Sequence, residues 1–282
     1  MKQNDVFILS NGVKIPVIGY GTWQTPNGDT AKSAVSLALK TGYRHVDCAA
    51  AYHNEDGVGE GIARSGISRD ELFITSKVWN RERGYESTLK AFEKTLADLG
   101  VSYLDLYLIH WPANEKMFGN DATQINLDTW RAMTELYKAG KIKAIGTSNF
   151  LPHHLKPLME TEVAPMVNQI EYHPGWTQDE VVNFCKENHI LVEAWSPLGS
   201  GRVLEDETLK NIASRYGKSV AQICIRFALQ NGVLPLPKSV TPSRIDDNFD
   251  VFDFEITDED MQMIRSMPET GWSGLTPDEV DF

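Results

Sequence analysis

The chain alternates short apolar runs with longer amphipathic ones, and the alternation repeats almost without interruption. The opening 6–21 holds two apolar stretches around Asn11-Gly12, the residue pair of a two-residue hairpin turn, so two short antiparallel strands are predicted there. An apolar run over 17–21 leads to a helical pattern over 29–40, stopped by Gly42. Run 44–47 leads to a helix over 55–64, 72–77 to 85–99 closed by Gly100, and 104–110 to 128–139 closed by Gly140. Runs 142–146, 166–170 and 190–195 are followed by helices over 153–160, 178–188 and, in a longer insertion, 205–216 and 219–230. Run 233–237 and helix 242–249 complete an eighth unit, and a last helix over 258–267 precedes a loose tail.

Strands alternating with helices imply a parallel sheet, and eight such units imply its closure. The expected fold is therefore α/β, a (β/α)8 TIM barrel with an N-terminal β-hairpin and extra helices. One domain is expected over 1–282, because no linker-like stretch interrupts the pattern. An open sheet with a Rossmann domain is the competitor, but it needs a phosphate-binding turn after the first strand. Gly57, Gly59 and Gly61 have a GxGxG look yet fall where a helix starts, so close packing or capping is their expected role.

Composition narrows the class only slightly. With 41% hydrophobic and 23% charged residues the chain is an ordinary globular protein. A net charge of −12 argues against nucleic acid or an anionic membrane as main partner. Three widely spaced cysteines fit a reducing compartment, and no stretch reads as a signal peptide or membrane span, so a cytoplasmic location is expected. The histidines lack metal-ligand spacing, and the pair His153-His154 has no carboxylate nearby in sequence, so no metal site is expected.

In a parallel barrel the carboxyl ends of the strands open onto one face, where active sites are built. Four ionisable residues sit there: Asp47, Tyr52, Lys77 and His110. Around the same mouth the register places Gly21-Thr22-Trp23, Trp79, Trp111, Ser148-Asn149, Gln169, Glu171, Trp195-Ser196 and Lys238-Ser239. An ammonium lowers the pKa of a neighbouring phenol, so Lys77 is expected to make Tyr52 more acidic, with Asp47 holding Lys77 in place. His110 can then donate a hydrogen bond to a carbonyl oxygen that gains negative charge. None of the four supplies hydride, so a cofactor is required. Trp195 offers a flat face for nicotinamide, Ser148, Asn149 and Gln169 can grip a carboxamide, and Lys238, Ser239 and Arg244 precede or open a helix in a way that suits phosphate.

The ordered series Gly42-Tyr43-Arg44-His45-Val46-Asp47, Ala50-Ala51-Tyr52-His53-Asn54-Glu55, Ile74-Thr75-Ser76-Lys77-Val78-Trp79, Leu108-Ile109-His110-Trp111-Pro112, Gly146-Thr147-Ser148-Asn149-Phe150, Val167-Asn168-Gln169-Ile170-Glu171-Tyr172-His173-Pro174, Trp195-Ser196-Pro197-Leu198-Gly199 and Leu236-Pro237-Lys238-Ser239 resembles the aldo-keto reductase superfamily along essentially the whole chain. The resemblance implies NADPH-dependent reduction of aldehydes and ketones, with NADPH preferred over NADH. Its catalytic tetrad falls on Asp47, Tyr52 as general acid, Lys77 and His110. Its nicotinamide grip falls on Ser148, Asn149, Gln169 and the stacking Trp195, where many members have tyrosine, and Gly21, Thr22, Trp23 and Asp47 are expected to contact the cofactor as well. Its adenosine 2′-phosphate site falls on Lys238, Ser239 and Arg244, with Asn248 near the adenine, and further cofactor contacts are expected at Ser196, Pro197, Leu198 and Val240.

The tail over 271–282 resembles that of microbial members similar to 2,5-diketo-gluconate reductase, and it implies an open pocket for small carbonyl substrates. Trp23, Tyr52, Trp79, His110 and Trp111 are expected to line that pocket, with Trp272 reaching in from the tail. A monomer is the expected state, a weak homodimer the alternative. Two other functions stay open: a barrel lyase that forms a Schiff base through Lys77, and a regulatory subunit that binds NADPH with negligible turnover.

Overall fold

The computed structural model describes residues 1–282. Strands β1 (Val6–Ile8) and β2 (Lys14–Pro16) form the antiparallel hairpin, Val6 opposite Pro16. Its turn differs from the expected Asn-Gly type. That type needs positive φ at both central residues, whereas only Gly12, at 86°, is left-handed here. The turn instead spans Leu9 to Gly12, with the Gly12 N–H donating to Leu9 O at 2.8 Å. Asn11 is freed to donate its side-chain amide to Lys143 O at 2.9 Å, which fixes the hairpin against the sheet.

The sheet proper holds eight parallel strands in chain order, β3 (Tyr20–Gly21), β4 (His45–Asp47), β5 (Phe73–Val78), β6 (Leu104–Ile109), β7 (Ile142–Ser148), β8 (Val167–Glu171), β9 (Leu191–Trp195) and β10 (Leu234–Pro235). It curls until its edges meet: the N–H groups of Gly19 and Gly21 donate to the carbonyls of Pro235 and Pro237 at 3.1 and 3.0 Å. β10 is shorter than the apolar run 233–237, because Pro235 and Pro237 have no N–H to give a ladder.

Helices α1 (Asp29–Thr41), α2 (Glu55–Ser65), α3 (Tyr85–Leu99), α6 (Pro152–Met159), α7 (Asp179–Glu187), α8 (Glu207–Tyr216), α9 (Val220–Gln230), α10 (Pro242–Phe249) and α11 (Asp258–Arg265) lie close to the predicted positions. Between β6 and β7 a short α4 (Glu115–Phe118) precedes α5 (Ala122–Lys138), which begins six residues earlier than its hydrophobic pattern indicates. The cause is Asn126, a polar residue that faces inward. Its side chain accepts from Ala113 N at 2.8 Å and donates to Ala113 O at 3.0 Å.

Buried side chains from Leu9 to Ile264 form one contiguous apolar cluster. The three cysteines are buried and unpaired. No helix is long and apolar enough to cross a membrane. Gly57, Gly59 and Gly61 are packing glycines on α2: a Cβ on Gly57 would stand 2.5 Å from Asn27 Oδ1, and one on Gly61 2.8 Å from Lys32 O. At Gly59 the obstacle is backbone, the Leu99 carbonyl, and it is closer still. Gly59→Ala is therefore expected to destabilise the protein by about 1–3 kcal/mol, read as a lower urea midpoint with unchanged steady-state kinetics.

Candidate active site

Each of the four ionisable groups is delivered by a strand end. Asp47 closes β4, Tyr52 follows in the short turn of helix over Ala50–Tyr52, Lys77 lies one residue from the end of β5, and His110 follows β6. Lys77 is fully buried. Its ammonium donates to both Asp47 oxygens at 2.7 and 2.8 Å, to Cys48 O at 3.0 Å and to the Tyr52 hydroxyl oxygen at 3.2 Å. Burial disfavours that charge, but the Asp47 carboxylate and the Tyr52 oxygen more than offset it and hold the ammonium protonated.

Because an ammonium can only donate, the Tyr52 oxygen accepts and its own proton is left for the cavity. The expected pull of Lys77 on Tyr52 is present, but burial, which the sequence did not show, outweighs it. Burial raises the phenol, Lys77 pulls it down, and the balance is a pKa pushed up to about 12. His110 packs edge-on against the rings of Tyr52 and Trp79, with centroids 5.6 and 5.1 Å away. Burial, then the positive charges of Lys77 and Arg83, lower its pKa well below the usual imidazole value, so it is neutral. Its Nδ1 is buried without a partner.

A second group of polar side chains stands on β7, β8 and β9. Gln169 donates its amide nitrogen to Asp47 Oδ1 at 2.9 Å and to Glu193 Oε2 at 2.8 Å. Ser148 donates to Gln169 O at 2.9 Å. Asn149, in the left-handed region at φ 63°, donates to His110 O and Ser148 Oγ and accepts from the Trp195 indole N–H at 2.7 Å. Asn149 thus ties His110 to Trp195.

These residues border a cavity of about 1090 Å³ that also reaches Lys238, Ser239, Arg244 and Asn248. Arg244 is exposed in the first turn of α10. Lys238 donates to Gln24 O at 3.1 Å, joining the loops after β3 and β10 at the rim.

Comparison with known proteins places this geometry. The model of the Aldo/keto reductase family matches residues 17–269. The chain belongs to the aldo/keto reductase family. It is 50% identical over 279 residues to the glyoxal reductase of Bacillus subtilis, covering 99% of this chain and 98% of that one. Among solved structures, an aldo/keto reductase from Brucella melitensis is 49% identical with a TM-score of 0.87, covering 93% of this chain and 98% of that one. A variant of the protein Gox0644, solved in complex with NADPH, is 42% identical with a TM-score of 0.90 and 99% of each chain covered.

Of the positions expected from the family, the cavity is lined by Gly21, Trp23, Asp47, Tyr52, Trp79, His110, Trp111, Ser148, Asn149, Gln169, Trp195, Ser196, Pro197, Leu198, Lys238, Ser239, Arg244 and Asn248. Four positions do not line it, the first being Lys77, which is fully buried and meets the cavity only through Tyr52. Thr22 is fully buried behind the wall, its hydroxyl donating to Asp47 O at 2.9 Å. Val240 is exposed and off the cavity.

Trp272 does not reach in. It stacks on Trp176 at 5.1 Å and lines a separate pocket of about 220 Å³. The tail residues that do line the cavity are Ser273, Leu275 and Phe282. Phe282 stacks on Trp79 at 5.8 Å and meets Trp111 edge-on at 5.5 Å, and its carbonyl accepts from the Asn80 side chain.

Glu171, placed at the mouth by sequence, turns away to accept from Ser273 N and Oγ at 3.0 and 2.6 Å, and so anchors the tail. The tail also brings the carboxylate that sequence did not show near His153 and His154: Asp278 Oδ1 lies 3.0 and 3.1 Å from their Nε2 atoms. His154 Nδ1 accepts from Leu151 N, which places its proton on Nε2, directed at Asp278. The trio is a hydrogen-bonded latch.

Proposed function

We propose that this aldo/keto reductase is an NADPH-dependent reductase of small aldehydes and ketones, with Tyr52 as the general acid. The observation that carries the reading is the buried chain Asp47–Lys77–Tyr52, which ends in a phenolic proton with no protein acceptor, at the wall of a cavity large enough for a dinucleotide and a small substrate. The lining carries groups suited to both parts of such a cofactor: Trp195 with Ser148, Asn149 and Gln169, and the cations Lys238 and Arg244 beside a helix start. The NADPH complex of Gox0644 and the name of the Bacillus relative point the same way. The hydrogen bonds between the sheet edges support a closed barrel, and the single apolar cluster supports one domain.

When bound, NADPH supplies the hydride; the chain supplies the proton and the field. Tyr52 releases its proton to the carbonyl oxygen as negative charge develops there. Lys77, 3.2 Å away, stabilises the phenolate left behind. Neutral His110 orients the carbonyl from the side, and Trp23, Trp79, Trp111 and Phe282 form apolar walls that exclude water. A Schiff-base role for Lys77 is disfavoured. A nucleophilic amine has to be deprotonated and reach substrate, whereas Lys77 is held as an ammonium and is fully buried.

The test is loss of NADPH absorbance with a panel of glyoxal-type, aliphatic and aromatic carbonyls. Tight NADPH binding with no turnover on any of them would favour the regulatory-subunit reading. Arg244→Ala is expected to weaken NADPH by about 10- to 100-fold, the loss of one or two charge-assisted hydrogen bonds, and to leave NADH within a factor of about two. Equal losses for both would remove Arg244 from the 2′-phosphate.

A further inference from the structure

Glu193 is a carboxyl group in the middle of a buried strand, and the mechanism above gives it nothing to do. It lies on β9 with no exposed surface, directly across from Gln169 on β8 and from Leu234 on β10. Its Oε2 accepts from Gln169 Nε2 at 2.8 Å, and its Oε1 is buried without a partner. Burial, reinforced by the nearby Asp47 carboxylate, pushes its pKa up to about 8, so at neutral pH it is a carboxylic acid with no second negative charge beside Asp47.

The consequence falls on Gln169. A side-chain amide has two N–H donors and one carbonyl acceptor. Both donors of Gln169 are used inside the wall, one on Asp47 at 2.9 Å and the other on Glu193. Asp47 alone would fix which end of the amide faces inward, but would leave it free to swing about that one bond. The second hydrogen bond removes that freedom. What remains for the cavity that Gln169 lines is its Oε1, an acceptor that no protein group occupies.

We propose that Glu193 is a positioning residue for the cofactor's carboxamide: it locks Gln169 with its carbonyl oxygen toward the cavity, so that the site selects a ring substituent bearing an N–H donor. The proposal rests on the reading of the cavity as a nicotinamide site. A carboxylate in place of the carboxamide meets an acceptor and is repelled; a carboxamide is held. With an apolar side chain at 193, one Gln169 N–H is unpaired, and the amide turns it toward whichever acceptor the ligand brings.

The experiment measures dissociation constants by tryptophan quenching for NADP, for its nicotinic-acid analogue (a carboxylate on the same ring) and for 2′,5′-ADP, which lacks the ring. The native protein is expected to prefer NADP over the analogue by about tenfold or more, the worth of one hydrogen bond made or opposed. Glu193→Gln, whose amide oxygen still accepts, is expected to keep that preference. Glu193→Met is expected to reduce it to within about threefold of unity while 2′,5′-ADP binds as in the native protein. A merely structural defect would move all three ligands together.

Unchanged preference in a folded Glu193→Met protein overturns the proposal. If that variant does not fold, Gln169→Leu carries the test, since the preference surviving loss of that amide overturns it equally. Native protein that binds neither dinucleotide nor 2′,5′-ADP overturns the cofactor reading itself, an outcome distinct from intact binding with the wrong preference.

Discussion

Replacing Tyr52 by phenylalanine is expected to lower kcat by about two to four orders of magnitude, the contribution of a positioned general acid, without disturbing the fold. The ring keeps its contacts with His110 and with the Lys77 ammonium, which lies 5.0 Å from its centroid. Lys77 keeps both Asp47 oxygens and Cys48 O as acceptors, so the loss of one hydroxyl strands no buried charge. NADPH affinity and the urea midpoint should therefore stay close to native while single-turnover reduction collapses. Near-native turnover would refute Tyr52 as the proton source. The pH profile gives a second check on the native protein. A general acid fails as pH rises past its pKa, and Tyr52 is held at about 12. In the free enzyme kcat/KM should thus show no descending limb from this group below strongly alkaline pH.

Where the sequence carried capping chemistry, the structure follows it closely. α3 runs over Tyr85–Leu99 and α10 over Pro242–Phe249 as predicted, because Gly100 ends the first and Pro242 begins the second. The end of β10 is set by its own Pro235 and Pro237 and was legible there. An edge set by a side-chain partner elsewhere in the chain was not: the start of α5 is hidden because Asn126 turns a polar side chain inward to clamp Ala113. Propensity treats such an asparagine as solvent-facing; the tertiary partner decides otherwise.

The site shows the same division. Asp47, Tyr52, Lys77 and His110 each sit near a strand end, and the parallel register alone brings them together. Sign and balance were harder. Lys77 does pull the Tyr52 pKa down, but residue types do not reveal how deeply the phenol is buried, and burial wins. The tail has no periodicity to place it, so the aromatic residue that reaches the cavity is Phe282, for which the sequence suggested no role, and not Trp272. Glu193 did leave a signal. It stands two residues before Trp195 on the same strand, and side chains two apart share a face. A carboxyl group on the face that points to the site, inside a run otherwise apolar, marks a residue that the site holds.

Lys77→Met is expected to have the second large effect, and on two observables at once. It removes one member of a fully buried ion pair and leaves Asp47 charged among groups that cannot compensate it, a loss of roughly 3–5 kcal/mol in folding stability. It also removes the charge that stabilises the Tyr52 phenolate, so turnover should fall about as far as in Tyr52→Phe, by roughly two to four orders of magnitude. The two losses have different physical origins, and a second substitution separates them. In Asp47→Asn/Lys77→Met the uncompensated carboxylate is gone, while the side-chain amide oxygen introduced at position 47 can still accept from Gln169. The urea midpoint should recover much of the way toward native, and single-turnover reduction should not. A Lys77→Met protein as stable as native would mean that Asp47 does not depend on Lys77 for its charge. A double variant that regained turnover would mean that the ammonium serves the fold and not the phenol. Recovery of stability without recovery of rate is the outcome that assigns Lys77 both roles: counter-ion to Asp47 in the folded wall, and stabiliser of Tyr52 while its proton leaves.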